Sequence, residues 1–464
     1  MNRLLLVTLL AVWLTGCGSL VKSDYQRPEI VIPASWRMEA SGVGYLKQSG
    51  RWWENFADPQ LSALIDQALS VNNDLAVAGL QLQQARLAAG LANTNLTPDV
   101  TLSGSGSQQK NLRRQSTTTD TYSASLSLSY ELDLWGKLAR AREKAQWQAE
   151  ASLQDRHSAA LTLIGETAQY YWKIGNLNQK IALQQRAIAV GSQTRDLVKS
   201  RYQAGATNES ELLQAEQSLL TLNNTLHSLQ QQREEARNAL AILFNQPPTE
   251  RQPELASLDV SQEVPIAITL PVAVIARRPD VRAAEASLRA SLAGADVERL
   301  NFYPSLSLTA ALSAGSTVFQ QWFSNPVRAL GSAVTLPFVQ WNQMRLTAKS
   351  AELDVEQAVI AFRSTVYAAL AEVDNTMTQR LDYLHQKQQL AKNLRLSQRR
   401  LTLTTSQYRA GAVSLETLLD AEDALLSVET SLSDMQYNYL YATLKLWLAL
   451  GGGTEENTQG TAYE

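Results

Sequence analysis

One constant offset constrains this chain more than any local motif does. Tyr202–Leu220 reads YQAGATNESELLQAEQSLL, and 206 residues later Tyr408–Leu426 reads YRAGAVSLETLLDAEDALL. The same shift carries Asp74 onto Asp280, Pro98 onto Pro304, Trp135 onto Trp341, Glu166 onto Glu372, Ala215 onto Ala421 and Leu240 onto Leu446. Residues 74–245 therefore align with 280–451 with almost no net insertion, as two copies of one large unit. A period this long lies outside the range of solenoid repeats. It predicts two large halves related by pseudo-symmetry, joined by an irregular connection over 246–271 that holds five prolines.

Each copy reads as a helix, two strands and a pair of long helices. The opening helical patterns, Leu61–Asn95 and Pro271–Asn301, stop at Pro98 and Pro304. Alternating segments follow. Val100 and Leu102 alternate with Thr101, Ser103 and Ser105; Leu306, Leu308, Ala310 and Leu312 alternate with Ser305, Ser307, Thr309 and Ala311. After a polar loop, Gln108–Asp120, Tyr122, Ala124, Leu126, Leu128, Tyr130 and Leu132 share one face and Ser123, Ser125, Ser127 and Ser129 the other. The fourth segment, Val327–Leu336, is less regular. A period of two means strands, and lengths of about ten residues suit membrane strands. A soluble half-buried sheet alternates in the same way. The serine face fits a watery lumen, with Tyr122 and Tyr130 at the two interfaces.

Proline costs about 3 kcal/mol inside a helix. None of the 13 prolines lies between Asp99 and Asn245 or after Pro337. Asn342–Ala410 contains neither glycine nor proline, and as helix would reach roughly 100 Å. Its counterpart, from Gly136 to Ala204, has no proline. Gly205 and Gly411 suit helix ends. After Gly411, Leu418, Ala421, Leu425, Val428, Leu432, Met435, Tyr439, Ala442, Leu446 and Ala449 step by three and four without a break. In the first copy Leu212, Ala215, Leu219, Leu222, Leu226 and Leu229 do the same, miss at Arg233 and resume at Ala236. Each copy thus holds a long antiparallel coiled-coil hairpin with a YxAGA turn at its tip.

Nothing supports catalysis. There is no Walker A loop, GxSxG elbow or HExxH pair, and His157, His227 and His385 are scattered. No cofactor or metal site is expected. A net charge of −3 argues against a broad nucleic-acid surface. Cys17 is the only cysteine, so no intrachain disulfide exists. Arg3 followed by the apolar run Leu4–Leu14 reads as a secretory signal too short to span a bilayer. It ends in Leu14-Thr15-Gly16-Cys17, which resembles the lipobox of bacterial lipoproteins. That resemblance implies cleavage before Cys17, acylation of its thiol and, with Gly18 following, sorting to the outer membrane.

Four strands cannot close a barrel, because closed membrane barrels begin at about eight, and open sheet edges are not tolerated in lipid. Strands in a membrane therefore require several chains, and three chains would supply twelve. With SDYQRP (Ser23–Pro28), WWENFADPQLSALIDQALSVNNDL (Trp52–Leu75), RRPDVRAAEASL (Arg277–Leu288), YPSLSL (Tyr303–Leu308) and LALGGG (Leu448–Gly453), the chain resembles the outer membrane factor family, the TolC-like channels of tripartite efflux systems, and particularly its lipidated members. Asp296 and Glu298 depart from that pattern, where relatives carry small or apolar residues.

The resemblance implies an α+β membrane protein: a homotrimer with a twelve-stranded outer-membrane β-barrel, four strands per chain, continued by an α-helical coiled-coil periplasmic tunnel. The segments expected are a signal peptide (1–16), a lipid-anchored segment (17–60), the first repeat (61–245), an equatorial linker (246–270), the second repeat (271–451) and a tail (452–464). The implied function is a passive export duct for small molecules, set in outer-membrane lipid, working with a periplasmic adaptor and an inner-membrane pump. By the same resemblance Asp420, then Glu416, are gate candidates at the periplasmic end; the first copy has Gln214 in place of Asp420. The turns at Gly205 and Ala206 and at Gly411 and Ala412 are adaptor-docking candidates. A non-conducting coiled-coil scaffold lipoprotein and a protein-secretion channel are the alternatives. The sequence does not name the cargo.

Overall fold

A computed structural model describes residues 22–36, 50–110, 112, 118–259, 263–264, 266, 271–321 and 323–452. Cys17, the signal segment and the tail beyond 452 lie outside these residues. The elements, in chain order, are α1 (Pro59–Val71), α2 (Asn73–Asn93), β1 (Asp99–Lys110), β2 (Thr118–Leu132), α3 (Lys137–Gln203), α4 (Glu209–Leu243), α5 (Pro271–Arg277), α6 (Pro279–Leu300), β3 (Ser305–Ser316), β4 (Pro326–Thr335), α7 (Trp341–Arg409) and α8 (Leu415–Ala449). Shifted by 206, β1 falls on β3 residue for residue, and α4 falls on α8 in the same way. The duplication is therefore structural as well as textual.

The chain divides into two compact units, and each draws on both repeats. The first takes residues up to 30, 80–155 and 282–365. Its sheet has the order β1-β2-β3-β4, all neighbours antiparallel. The register places Leu102 opposite Leu126, Leu126 opposite Leu312, and Leu312 opposite Arg328. One face is therefore apolar: Val100, Leu102, Leu126, Leu128, Leu308, Leu312, Leu330 and Val334, every one of them exposed. The other face carries Ser103, Ser105, Ser123, Ser125 and Thr309; the Ser105 and Ser123 hydroxyls are hydrogen-bonded at 2.8 Å. A soluble half-buried sheet would cover its apolar face. This one leaves it bare, which selects the lipid-facing reading of the alternation. Tyr122 meets Phe319 edge-on at 5.2 Å at the loop end, and Trp135 meets Tyr303 at 5.4 Å at the helix end. No helix among the described residues is long and apolar enough to cross a membrane.

Beside the sheet, α3 packs on α6. Arg289 lies 4.5 Å over the Trp147 ring, and Arg140 pairs with Asp296 at 2.7 Å. Asp296, the departure noted in the sequence, is buried; it also accepts from the Ser23 amide and hydroxyl and pairs with Arg299. A buried carboxylate needs such partners. It fixes the extended segment 22–30 along α6, which continues through Tyr25 to Glu285 and Arg289.

The second unit takes 31–79, 156–281 and 366 onward. Its main core brings together Trp52, Phe56, Leu61 and Ile65 with Tyr171, Trp172, Tyr439, Leu444 and Trp447. Trp52 stacks on Trp447 at 5.6 Å. The connection between repeats contributes Leu258, Val264 and Ile266 to this core, so it is irregular but anchored. Three glycines inside α3 mark close approaches. A methyl added at Gly165 would lie 2.7 Å from Leu448 Cδ1, and one at Gly175 would lie 3.0 Å from Leu255 Cβ.

The opening helices differ from expectation: neither is continuous. The first breaks at Asn72 between α1 and α2, the second at Arg278 between α5 and α6, and these are the same position in the two repeats. Asn72 donates to the Leu243 carbonyl at 2.9 Å, and its own side-chain oxygen accepts from the Leu75 amide. Arg278 donates to the Ala449 carbonyl at 2.8 Å and grips Asp280 and Glu372. In both repeats a side chain at the break satisfies the last carbonyl of the returning helix, an orphan by geometry. Pro279 then opens α6 at a position where its missing amide costs nothing.

Candidate gate and docking tips

All of the gate and tip residues singled out in the sequence belong to the second unit. Long helices without proline deliver the chain to a turn, and glycine makes the turn possible. Gly205 has φ +72° and Gly411 φ +76°. The Gly205 amide donates to the Tyr202 carbonyl at 3.0 Å, and the Ala206 amide to the Arg201 carbonyl at 2.8 Å; Gly411 and Ala412 repeat this with Tyr408 and Gln407. These paired bonds are the Schellman arrangement. No atom lies within 4 Å of where a Cβ would stand at either glycine. The left-handed backbone alone therefore demands glycine, and any other residue costs about 1–2 kcal/mol. The returning helices start on side-chain caps: Asn208 accepts from the Glu211 amide and Ser414 from the Thr417 amide.

The two hairpins of one chain pack on each other just behind their tips. Val198, Ala215, Tyr408, Leu415, Leu418 and Leu419 form a separate buried cluster. The Arg201 guanidinium sits 4.9 Å over the Tyr408 ring and donates to the Tyr408 carbonyl at 3.3 Å. Thr194 donates its hydroxyl to Glu422 at 2.9 Å. The heptad seam of α8 contains no exposed residue, so the periodicity placed its buried face correctly.

Asp420 and Glu416 are both exposed on α8, one turn apart. Neither has an ion-pair partner among the described residues. Their surroundings include two acids that sequence reasoning passed over. Burial pushes the Asp423 carboxyl up, and the Asp420 charge adds to this. Burial also raises the Glu422 carboxyl, Asp423 contributes in the same sense, and the Thr194 hydroxyl partly offsets both. Position 422 is Glu in both repeats (Glu216 in the first), so identity alone gave no signal; its burial against α3 is what distinguishes it.

A carboxyl held above its ordinary range favours the folded state most when protonated, and that contribution fades as pH rises through the raised value. Glu422→Gln keeps an acceptor for Thr194 and removes the half-buried charge. It should melt higher than the unaltered protein near neutral pH and lose that advantage by about pH 4, near the ordinary carboxylate value. Thermal melts of both proteins across this range check it; an offset independent of pH would refute the assignment.

The family model for "Outer membrane efflux protein" matches this chain twice, over residues 64–246 and 270–452, with starts and ends both separated by 206. The pyoverdine export outer membrane protein OpmQ of Pseudomonas putida is 30% identical, across 92% of this chain and 93% of its own. The cation efflux system protein CusC of Escherichia coli O6:H1 is 29% identical, across 96% and 98%. Among solved structures, the open-state MtrE outer membrane channel of Neisseria gonorrhoeae superposes with a TM-score of 0.80 at 28% identity, across 95% of this chain and 99% of that one. The four-stranded sheet with long coiled-coil helices in each chain is thus the fold of an outer-membrane channel, and the chain belongs to the outer membrane efflux protein family.

Proposed function

We propose that three copies of this chain form a passive export duct of a tripartite efflux system: a twelve-stranded barrel in the outer membrane continued by a helical periplasmic tunnel. The observation that carries this is the inequality of pseudo-equivalent surfaces in the first unit. Between repeats, α3 packs on α6, and Ala286 and Ala293 of α6 are 2% and 0% exposed. Their counterparts on α2, Leu80 and Leu87, are 60% and 69% exposed. Arg140 and Gln154 of α3 are buried, whereas their counterparts on α7, Leu346 and Ile360, are about two-thirds exposed. The bare α2 leucines are larger than their buried alanine counterparts, and the bare α7 residues are apolar where the buried originals are polar. Packing α7 of one copy on α2 of the next repeats the internal contact between chains.

The sheet gives the same operation. β2 pairs with β3 inside the chain, so β4 pairs with β1 of the next copy. Two copies would close eight strands, whose interior side chains fill; twelve is the smallest multiple that leaves a lumen. The serine-bearing face then lines the duct and the bare leucines meet lipid. Shifting the observed β2·β3 register by the repeat sets Ala333 opposite Ser105 of the neighbour. An Ala333→Cys, Ser105→Cys protein should therefore oxidise to a covalent trimer on denaturing gels. A protein that stays monomeric under oxidation would refute the trimer and favour a non-conducting scaffold.

The domain assignment follows this reading, with an acylated Cys17 leading 17–60, repeats over 61–245 and 271–451, an equatorial linker at 246–270 and a tail at 452–464. Asp420, with Glu416 one turn away, forms a ring of like charge at the periplasmic constriction, where it gates. Only the second hairpin carries it, since position 214 is Gln. Planar-bilayer recordings should show mostly closed trimers and a several-fold rise in conductance for Asp420→Ala with Glu416→Ala. Unchanged conductance would remove the gate while leaving the duct.

The tips at Gly205 and Ala206 and at Gly411 and Ala412 dock the adaptor through backbone and small side chains, the open space around both glycines leaving them accessible. Cysteines at Ala206 and Ala412 should crosslink to a co-expressed periplasmic adaptor; silence at both would count against docking. Relatives named for pyoverdine export and cation efflux match this chain over more than nine-tenths of its length. A serine-lined wall discriminates little among solutes, so cargo choice falls to the pump.

A further inference from the structure

The internal seam β2·β3 and the seam β4·β1 between copies occupy equivalent places but carry different chemistry. Within the chain Tyr122 stands directly opposite Ser316. Shifted by 206, Tyr122 becomes Arg328 and Ser316 becomes Lys110. The seam between copies therefore sets Arg328 of one chain directly opposite Lys110 of the next. Both side chains belong to the apolar face. Arg328 faces Leu312 within its own sheet, and Lys110 ends a strand whose even-numbered residues include Val100 and Leu102. Both are exposed, and neither has an ion-pair partner among the described residues. The nearest acid in the register, Asp120, accepts from the Gln108 amide at 2.9 Å.

Two like charges facing each other across an antiparallel ladder destabilise it. Lysine on a sheet edge is ordinary protection against stray pairing, but that account fails once the edges are meant to pair, because the repulsion would oppose the closure the chain requires. The conflict disappears if an anion lies between the cations. Its chemistry is set by the setting: both cations lie on the lipid side, at the loop end of the strands, remote from the helices. Arginine and lysine there match a phosphate whose attached chains lie along Leu312 and Leu330. The geometry points to a binding site for a phosphorylated lipid of the outer leaflet, formed by Arg328 and the Lys110 of the adjoining copy, at each seam between chains. This rests on the trimer of the preceding section. It adds that the phosphate bridges the seam and that lipid completes the barrel; the internal seam, with Tyr122 and Ser316, needs none.

The test uses full-length protein in detergent with diphosphorylated lipid A as the probe, and its dephosphorylated form as control. Retained lipid is read by native mass spectrometry, and the disulfide formed by Ala333→Cys with Ser105→Cys reports the trimer in the same samples. The unaltered trimer should retain the phosphorylated probe and not the control. Arg328→Gln with Lys110→Gln should weaken retention by about tenfold or more, since each lost charge-assisted bond is worth at least that factor. Tyr122→Phe, which alters the equivalent position at the internal seam, should leave retention unchanged. A disulfide-linked trimer that holds both forms of the lipid equally, or holds the probe equally well without Arg328 and Lys110, overturns the site and leaves the channel standing. Failure of the disulfide in the unaltered background overturns the seam and the site together.

Discussion

The backbone of two edge strands governs this structure. β1 and β4 each present a row of amides and carbonyls with no strand partner among the described residues. In water such edges are a hazard; in hydrocarbon each unmet group costs several kcal/mol. A four-stranded sheet that is bare on its apolar face and open at both edges is thus incomplete as a monomer. The duplication supplies the remedy. Because β4 and β1 are copies of β2 and β3, a surface already proven to pair inside the chain is offered at both ends. Heterologous contacts of this kind close into rings when the rotation allows. The exposed leucines and isoleucine of α2 and α7 obey the same logic one layer away.

Duplication also shows which contacts the fold must keep. At the break of each opening helix, one side chain reaches the last carbonyl of the returning helix, Asn72 to Leu243 in one repeat and Arg278 to Ala449 in the other. The residues differ in length and charge, yet the acceptor is equivalent. What the two repeats share at this position is the capped backbone carbonyl, not the side chain. Arg278 has gained more, since Glu372 and Asp280 also hold it, and a buried arginine requires that company.

Much of this was legible in the sequence for physical reasons. The long helices follow from the proline gaps, their ends from Gly205 and Gly411, and the buried seam of α8 from an unbroken three-four spacing. The strands followed from alternation, but alternation cannot say whether the apolar face is covered; only the exposure of Leu102, Leu330 and Val334 decided that. The break at Asn72 is not legible because asparagine is no helix breaker; the one at Arg278 is, because Pro279 follows it and opens a helix. Their effect depends on a carbonyl 171 residues away in each case. Asp296 was noticed as a departure, but its reason, a buried junction of Ser23, Arg140 and Arg299, is entirely tertiary. Glu422 was missed for the same cause: Thr194, its partner, sits on a different helix.

The tips carry the asymmetry between repeats further. Tyr408 is buried beneath Arg201, while its counterpart Tyr202 is exposed. The position equivalent to Arg201 is Gln407, which cannot make the same cation–π contact. The clasp of Arg201, Tyr408, Thr194 and Glu422 thus ties the second hairpin to the first within one chain, and no identical clasp can form between chains. On the proposed reading, a trimer has three firm junctions and three weaker ones around its periplasmic end. Movement then concentrates at the weaker junctions. The second hairpin borders such a junction on its free side, and it is also the hairpin that carries Asp420. On that reading the unequal repeats place the candidate gate charge on the hairpin that borders the weaker junction.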